Sequence, residues 1–137
     1  EPMQVVSGRI DKPTVHFEAP SRDVLESELD VFIRWFNDSR EDPALDPLLR
    51  AAITHLWFVT LHPLDDGNGR ITRLLTDLAL AQAERQSVRF YAMSVAILAN
   101  RKSYYEILEQ SQKGELDITA WLMWFLNTLG ETFTNVL

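Results

Sequence analysis

The chain of 137 residues has no cysteine, is 46% hydrophobic with four Trp, and carries a formal net charge of −7. That length and apolar share suit one domain with a buried core and exclude a disordered chain. The missing cysteines exclude disulfides and thiolate-bound zinc and suit a reducing cytoplasm. The acidic balance argues against a general nucleic-acid or membrane-surface binder, and no apolar run is both long and charge-free enough to span a bilayer.

Residues 1–20 lack helical periodicity. Val5-Val6-Ser7-Gly8 and Thr14-Val15-His16-Phe17 are short β-prone runs around the turn-prone Asp11-Lys12-Pro13, so a hairpin is expected. The helical core then runs from residue 21 to residue 137. Ser21 caps a helix whose stripe of Leu25, Leu29, Phe32, Ile33 and Phe36 faces the core, and which ends near Asn37. Ser39 to Ala44 reads as a polar loop. Asp46-Pro47 starts a helix over 47–61, with a cap followed by Pro at the first helical position. This helix is apolar nearly all round and should be the buried centre. Within it, His55 reads as a satisfied core histidine; a metal triad with His62 and Asp66 is the weaker alternative, lacking a fourth partner.

The next twelve residues, His62-Pro63-Leu64-Asp65-Asp66-Gly67-Asn68-Gly69-Arg70-Ile71-Thr72-Arg73, hold the parts of a phosphate site. Gly67 and Gly69 let the backbone approach a ligand closely. A turn feeding straight into a helix aims several N–H groups at one spot, where anions bind. Arg70 and Arg73 lie one helical turn apart, where cations oppose the helix dipole and are poor choices for stability alone. Their guanidinium forks match phosphate oxygens. Asp66 sets a hard oxygen beside that anion site, suited to phosphate-bound Mg²⁺. His62 exchanges protons near neutral pH, and Pro63 ends the preceding helix and fixes how His62 is presented. A capped turn with Asp66 paired to Arg70 accounts for single residues but not for the set. These residue types in this order arise by chance at roughly one in 10¹⁰ per start position at average usage.

The helix after this stretch, with Ile71, Leu74, Leu75, Leu78 and Ala79 at helical spacing, runs to about Gln86. Ser87 to Tyr91 reads as an extended link and Ser94 as the cap of another helix. That helix is interrupted near Asn100 and resumes as Arg101 to Lys113. Tyr104 and Tyr105 project to different sides of it, so one can enter the core while the other faces a cleft. Gly114 stops this helix and Asp117 caps the last one. There Ile118, Trp121, Leu122, Phe125, Leu126, Leu129 and Phe133 make a wide apolar face, which either seals the bundle or carries a homodimer contact.

The stretch from His62 to Arg73 resembles the signature of the Fic (Fic/Doc) family, His-Pro-Phe-x-Asp/Glu-Gly-Asn-Gly-Arg-x-x-Arg. One defining position differs: Leu64 replaces Phe at an apolar position expected to pack inward. Lys in place of Arg70, which marks the phosphotransferring Doc branch, is absent. The resemblance extends over nearly the whole chain and implies an all-α fold. About six helices would surround a buried central one, with a small N-terminal β-hairpin flap, in a single catalytic domain over 1–137.

The resemblance implies protein adenylyltransfer: AMP moves from Mg·ATP to a Ser, Thr or Tyr hydroxyl of a target protein and pyrophosphate leaves. Carried across residue by residue, His62 is the base that takes the hydroxyl proton and Asp66 holds Mg²⁺. The amides of Gly67, Asn68 and Gly69 form the anion hole, with the Asn68 side chain also near phosphate. Arg70 stabilises the β-phosphate and Arg73 holds the γ-phosphate. Tyr104, Tyr105 and Gln112 line the nucleoside pocket, against the alternative that the tyrosines are ordinary half-buried aromatics. The flap residues Thr14, Val15, His16 and Phe17 clamp an extended target segment by strand addition; alternatively they belong to an arm that only covers the core. His16 reads as a flap surface residue rather than a second catalytic group.

Fic relatives are commonly restrained by an inhibitory helix of Ser/Thr-x-x-x-Glu-Gly/Asn type, whose Glu pairs with the second motif arginine. No such motif precedes the flap, and Gly130 to Asn135 does not match it either. With its opening Glu1-Pro2 and no initiator Met, the chain reads as a catalytic core cut from a longer protein, or one restrained by a partner in trans. A Glu introduced opposite Arg73 should then suppress turnover. Other chemistries that keep the site are UMP or phosphocholine transfer and removal of AMP. A non-catalytic binding module is the alternative from outside enzymology, and it has no need of a base at His62.

Overall fold

The structure, a computed structural model, describes residues 4–9, 12–18, 22–84, 91–113 and 118–136. The described residues form an N-terminal antiparallel pair, β1 (Gln4–Arg9) and β2 (Lys12–Glu18), followed by six helices. These are α1 (Arg22–Asp38), α2 (Pro47–Leu61), α3 (Asn68–Glu84), α4 (Tyr91–Ala99), α5 (Arg101–Lys113) and α6 (Thr119–Val136), with a 3-10 turn over Ser39–Glu41 after α1. The fold is the expected all-α bundle with a hairpin flap.

α2 is the centre, as its apolar sequence requires. Ala51, Ala52, Thr54, His55, Leu56, Phe58, Val59 and Leu61 are all buried on it, and it packs against α3, α6 and α1. Its start is the capped one the sequence announces: the Asp46 carboxylate accepts from the N–H of Leu48 at 2.8 Å and of Leu49 at 3.3 Å, with Pro47 at the first helical position. Such a cap contributes about 1 kcal/mol. α6 seals the bundle, the first of its two readings: Trp121 and Phe125 are fully buried, Leu129 nearly so, and the Trp121 indole N–H donates to the Ala52 carbonyl at 2.8 Å. Phe32 anchors α1 among the rings of Trp35, Phe36, Trp57 and Phe58.

The hairpin pairs Val5 with Phe17 and Val6 with Val15, so His16 is the extra residue of an irregularity in β2. β2 lies against α5. The side chains of Thr14, Val15, His16 and Phe17, the cap Ser21, residues 87–90 of the expected link, Gly114 and Asp117 lie outside the described residues.

Three local expectations change. Tyr91 opens α4 instead of ending an extended link, and Ser94 lies inside that helix instead of capping it, because Met93 and Ile97, four apart, are both buried against the bundle. Ser39 is not loop surface but is buried, its hydroxyl accepting from the Arg50 Nε–H at 2.8 Å. Arg50 itself, a lone charge in an apolar helix, is 3% exposed. It also donates to the Gln82 side-chain Oε1 at 2.7 Å and to the Phe36 backbone carbonyl, and its guanidinium stacks 4.4 Å over the Phe36 ring. That cluster ties the end of α1 to α2 and α3. Burial, with Arg40 adding repulsion, holds the Arg50 pKa below its usual value.

Candidate active site

The site is the turn between α2 and α3. Pro63 disfavours the right-handed helical region for the residue before it, so α2 stops. His62 takes the left-handed conformation instead (φ 47°, ψ 56°), and its N–H closes on the Phe58 carbonyl at 3.1 Å. For a residue with a Cβ that conformation costs about 1–2 kcal/mol. The ring is half-buried: Nδ1 is enclosed without a hydrogen-bond partner, which leaves Nε2 as the nitrogen that meets solvent. Burial lowers the His62 pKa, so the ring is neutral at pH 7 and ready to accept a proton.

The loop is closed by one side chain. Asn68, 6% exposed, accepts from the Leu64 N–H at 2.9 Å and donates to the Leu64 carbonyl at 2.7 Å. With both its backbone groups held, Leu64 points its side chain outward at 38% exposure; the inward packing expected of this position does not occur. Gly67 sits at φ +85°, where a side chain is strained, and its N–H donates to the Asp66 carboxylate at 2.9 Å. The alternative pairing of Asp66 with Arg70 does not form. Asp66 and Arg70 are both exposed at the loop rim.

At Gly69, in the first turn of α3, an added Cβ would stand 3.1 Å from Nη1 of Arg73. The Arg73 side chain thus folds back toward the helix N-terminus, as helical side chains do, and lays its guanidinium over a bare stretch of backbone. Neither Arg70 nor Arg73 forms an ion pair among the described residues. The Arg73 guanidinium, a helix N-terminus and a Cβ-less backbone face thus meet at the start of α3, six residues after His62, with Arg70 exposed on the same first turn.

Behind this turn lies a buried polar cluster. His55 is fully enclosed and both ring nitrogens are bonded, Nδ1 to the Thr76 hydroxyl at 3.0 Å and Nε2 to the Tyr104 hydroxyl at 2.7 Å. It is the satisfied core histidine of the two readings. Among the described residues no group of three His, Asp or Glu could hold a metal, so the triad of His55, His62 and Asp66 is not assembled. Burial first, and then the Arg73 charge, push the His55 pKa down to about 3.

Tyr104 is therefore a core residue: it is 9% exposed, its ring stands edge-on to His55, and burial pushes its pKa up. Tyr105 packs edge-on against it, half-buried, on the outer side of α5. Gln112 donates to the Thr60 hydroxyl at 2.8 Å, two residues before His62, and keeps its own Oε1 enclosed without a partner. Of the three residues assigned to the nucleoside pocket, Gln112 is brought to the end of α2 and Tyr104 is turned into the core.

Sequence reasoning passed over Asp77, one turn beyond Arg73. Burial raises its pKa to about 6 against the pull of Arg73, and its Oδ1 is enclosed without a partner. A carboxylate four residues after a motif arginine was the available signal.

The family model described as Fic/DOC family matches residues 3–80, more than half of the chain. The chain belongs to the Fic/DOC family. Among curated proteins, it is similar to protein adenylyltransferase Fic of Nematostella vectensis, 33% identical over 97 residues that cover 71% of this chain and 21% of that protein. It is 32% identical over 115 residues to protein adenylyltransferase fic-1 of Caenorhabditis elegans, covering 82% and 21%. With fic-1 of Caenorhabditis briggsae it shares 37% over 93 residues, covering 68% and 17%. The chain thus spans about a fifth of the length of the curated relatives it matches.

Proposed function

We propose that this Fic domain transfers AMP from Mg·ATP to a hydroxyl side chain of a target protein. The observation that carries the reading is the Arg73 guanidinium folded over Gly69 at the start of α3, one short loop from a neutral His62. Fic relatives named protein adenylyltransferase support the same chemistry.

In this mechanism the polyphosphate lies along the α3 N-terminus, held by the N–H groups of Asn68 and Gly69, and by that of Gly67 once the Asp66 carboxylate that accepts it turns to the metal. Arg70 and Arg73 take the β- and γ-phosphates and neutralise charge on the leaving group. His62 accepts the proton of the target hydroxyl as its oxygen bonds to the α-phosphorus. The bond from the α-phosphorus to the bridging oxygen breaks, and pyrophosphate leaves with that electron pair. A positioned base of this kind contributes roughly 10²–10⁴-fold.

The residues present fit Mg²⁺. Asp66 is exposed and spends only Oδ1 on the Gly67 N–H, and Mg²⁺ is typically held by one or two carboxylates together with substrate phosphates and water. Bound there, Mg²⁺ would supply charge neutralisation at the α- and β-phosphates. β2 offers an edge for an extended target segment. No helix among the described residues is long and apolar enough to cross a membrane, and a reducing cytoplasm suits a chain without cysteine.

The test supplies α-³²P-ATP and γ-³²P-ATP in parallel, with Mg²⁺ and a cell lysate, to the wild type and His62→Ala. Protein-bound label from the α-position alone, lost in the variant, is the expected result. Label from the γ-position, or α-label that survives His62→Ala, refutes it.

A further inference from the structure

We infer that Tyr104, His55, Thr76 and Thr72 form a hydrogen-bonded relay that positions the phosphate loop, making Tyr104, at the far end of the relay on α5, a positioning residue for the site. The inference rests on the anion site proposed above for its functional consequence, and on the geometry alone for its existence.

Every proton in the chain has a direction. The Thr72 hydroxyl donates to the Asn68 carbonyl at 2.7 Å, and the Thr76 hydroxyl donates to the Thr72 carbonyl at 2.7 Å. Each threonine has one hydroxyl proton, now committed. The 3.0 Å contact between His55 Nδ1 and the Thr76 oxygen therefore needs the proton on Nδ1. Nε2 must then accept, and the Tyr104 hydroxyl donates to it across 2.7 Å. The tautomer is assigned by its partners. Burial and the nearby Arg73 charge both keep this histidine neutral, as the relay requires.

The loop end of the relay is Asn68, whose side chain closes the loop by its paired bonds to Leu64. A threonine bonding back to the carbonyl four residues earlier is by itself routine, and it tilts that carbonyl and bends the helix slightly. Here two such bonds follow one another along α3, and both threonines are 1% exposed. His55 of α2 and Tyr104 of α5 fix the second of them from outside. The rotation of the first turn of α3, and with it the aim of the Gly67–Gly69 amides and of Arg73, is thus set by a tyrosine 36 positions further along the chain than Asn68.

The test uses the whole chain with Thr72→Val, Thr72→Ser, Tyr104→Phe and the Thr72→Val/Tyr104→Phe pair. Thermal melting establishes that each is folded. Amide ¹H–¹⁵N shifts of Gly67 and Gly69 report the loop without any ligand, and calorimetry gives the Kd for Mg·pyrophosphate. Thr72→Val and Tyr104→Phe should each move both glycine amides and weaken pyrophosphate about five- to tenfold. Thr72→Ser should stay within about twofold of wild type, and the pair should be no worse than the poorer single variant, since both cut one chain. Variants that lose thermal stability while the glycine amides stay in place overturn the relay, and so do additive losses of affinity. A wild type that binds pyrophosphate yet transfers no AMP would refute the proposed reaction and leave these shifts to decide the relay.

Discussion

Gly69 and Gly67 separate two reasons for a glycine, and the structure says which applies where. Gly69 has helical backbone, so Ala is favoured there over Gly by about 0.5–1 kcal/mol of conformational entropy. Against that stands one contact: the new Cβ meets Arg73 Nη1 at 3.1 Å, a few tenths of an ångström too close. The clashing atom is the end of a flexible side chain, and relief by an off-rotamer shift costs about 0.5–1.5 kcal/mol. The two terms nearly cancel, so Gly69→Ala should leave stability within about 1 kcal/mol of wild type. Phosphate binding should still suffer. The methyl group covers the backbone a phosphate must approach and displaces the guanidinium that would meet it. Losing one charge-assisted contact of about 1.5–3 kcal/mol predicts a roughly ten- to hundredfold weaker Kd for Mg·ATP.

Gly67→Ala should behave in the opposite way as far as folding goes. Nothing lies within 4 Å of its Cβ, yet φ is +85°, so the cost is backbone strain of about 1–2 kcal/mol. Urea denaturation and calorimetry on the two variants measure both axes. A Gly69→Ala protein that binds Mg·ATP as tightly as wild type refutes the reasoning, because Arg73 would then not act at that spot.

Three further outcomes follow from buried charges. His55 has its folded pKa depressed to about 3 from 6.5, so its stabilisation is complete above pH 6.5 and is lost as pH falls toward 3, by up to roughly 5 kcal/mol. Urea midpoints measured across that window should fall steeply in wild type and less so in His55→Gln. Asp77 has the opposite sign: its folded pKa is raised to about 6 from 3.8, so its contribution is full below pH 3.8 and is lost as pH rises through 6. Asp77→Asn should therefore melt higher than wild type at pH 7.5 and no higher at pH 4. Arg50→Met removes the donor shared by Ser39, Gln82 and Phe36, and should cost about 2–4 kcal/mol in urea denaturation. Arg50→Lys should not restore it, because an ammonium lacks the planar fork.

What the chain discloses by itself, and what it withholds, divides along the range of the interaction. Asp46-Pro47 and His62-Pro63 are local devices, and both ends of α2 lie where those residues put them. The phosphate loop is equally local, since glycine backbone freedom, helix-start amides and arginine spacing are all contained in twelve residues. Arg50 defeats the local rule that a charge marks the solvated face, because its three acceptors come from Phe36, Ser39 and Gln82, 11 to 32 positions away. Tyr91 joins a helix despite its β-prone surroundings, because burial of Met93 and Ile97 outweighs local preference.

The tyrosine pair shows the same limit most clearly. Helical periodicity says that Tyr104 and Tyr105 face different ways, but not which one enters the core. That choice is made by His55, 49 positions earlier, which needs a donor for Nε2 once Thr76 has taken the proton of Nδ1. A buried imidazole with one unmet nitrogen would cost about 1–3 kcal/mol, enough to select Tyr104 for the interior and leave Tyr105 half-buried beside it. The same hydroxyl that satisfies the core is the first donor of the relay proposed above, so in that proposal packing and chemistry fall to one residue.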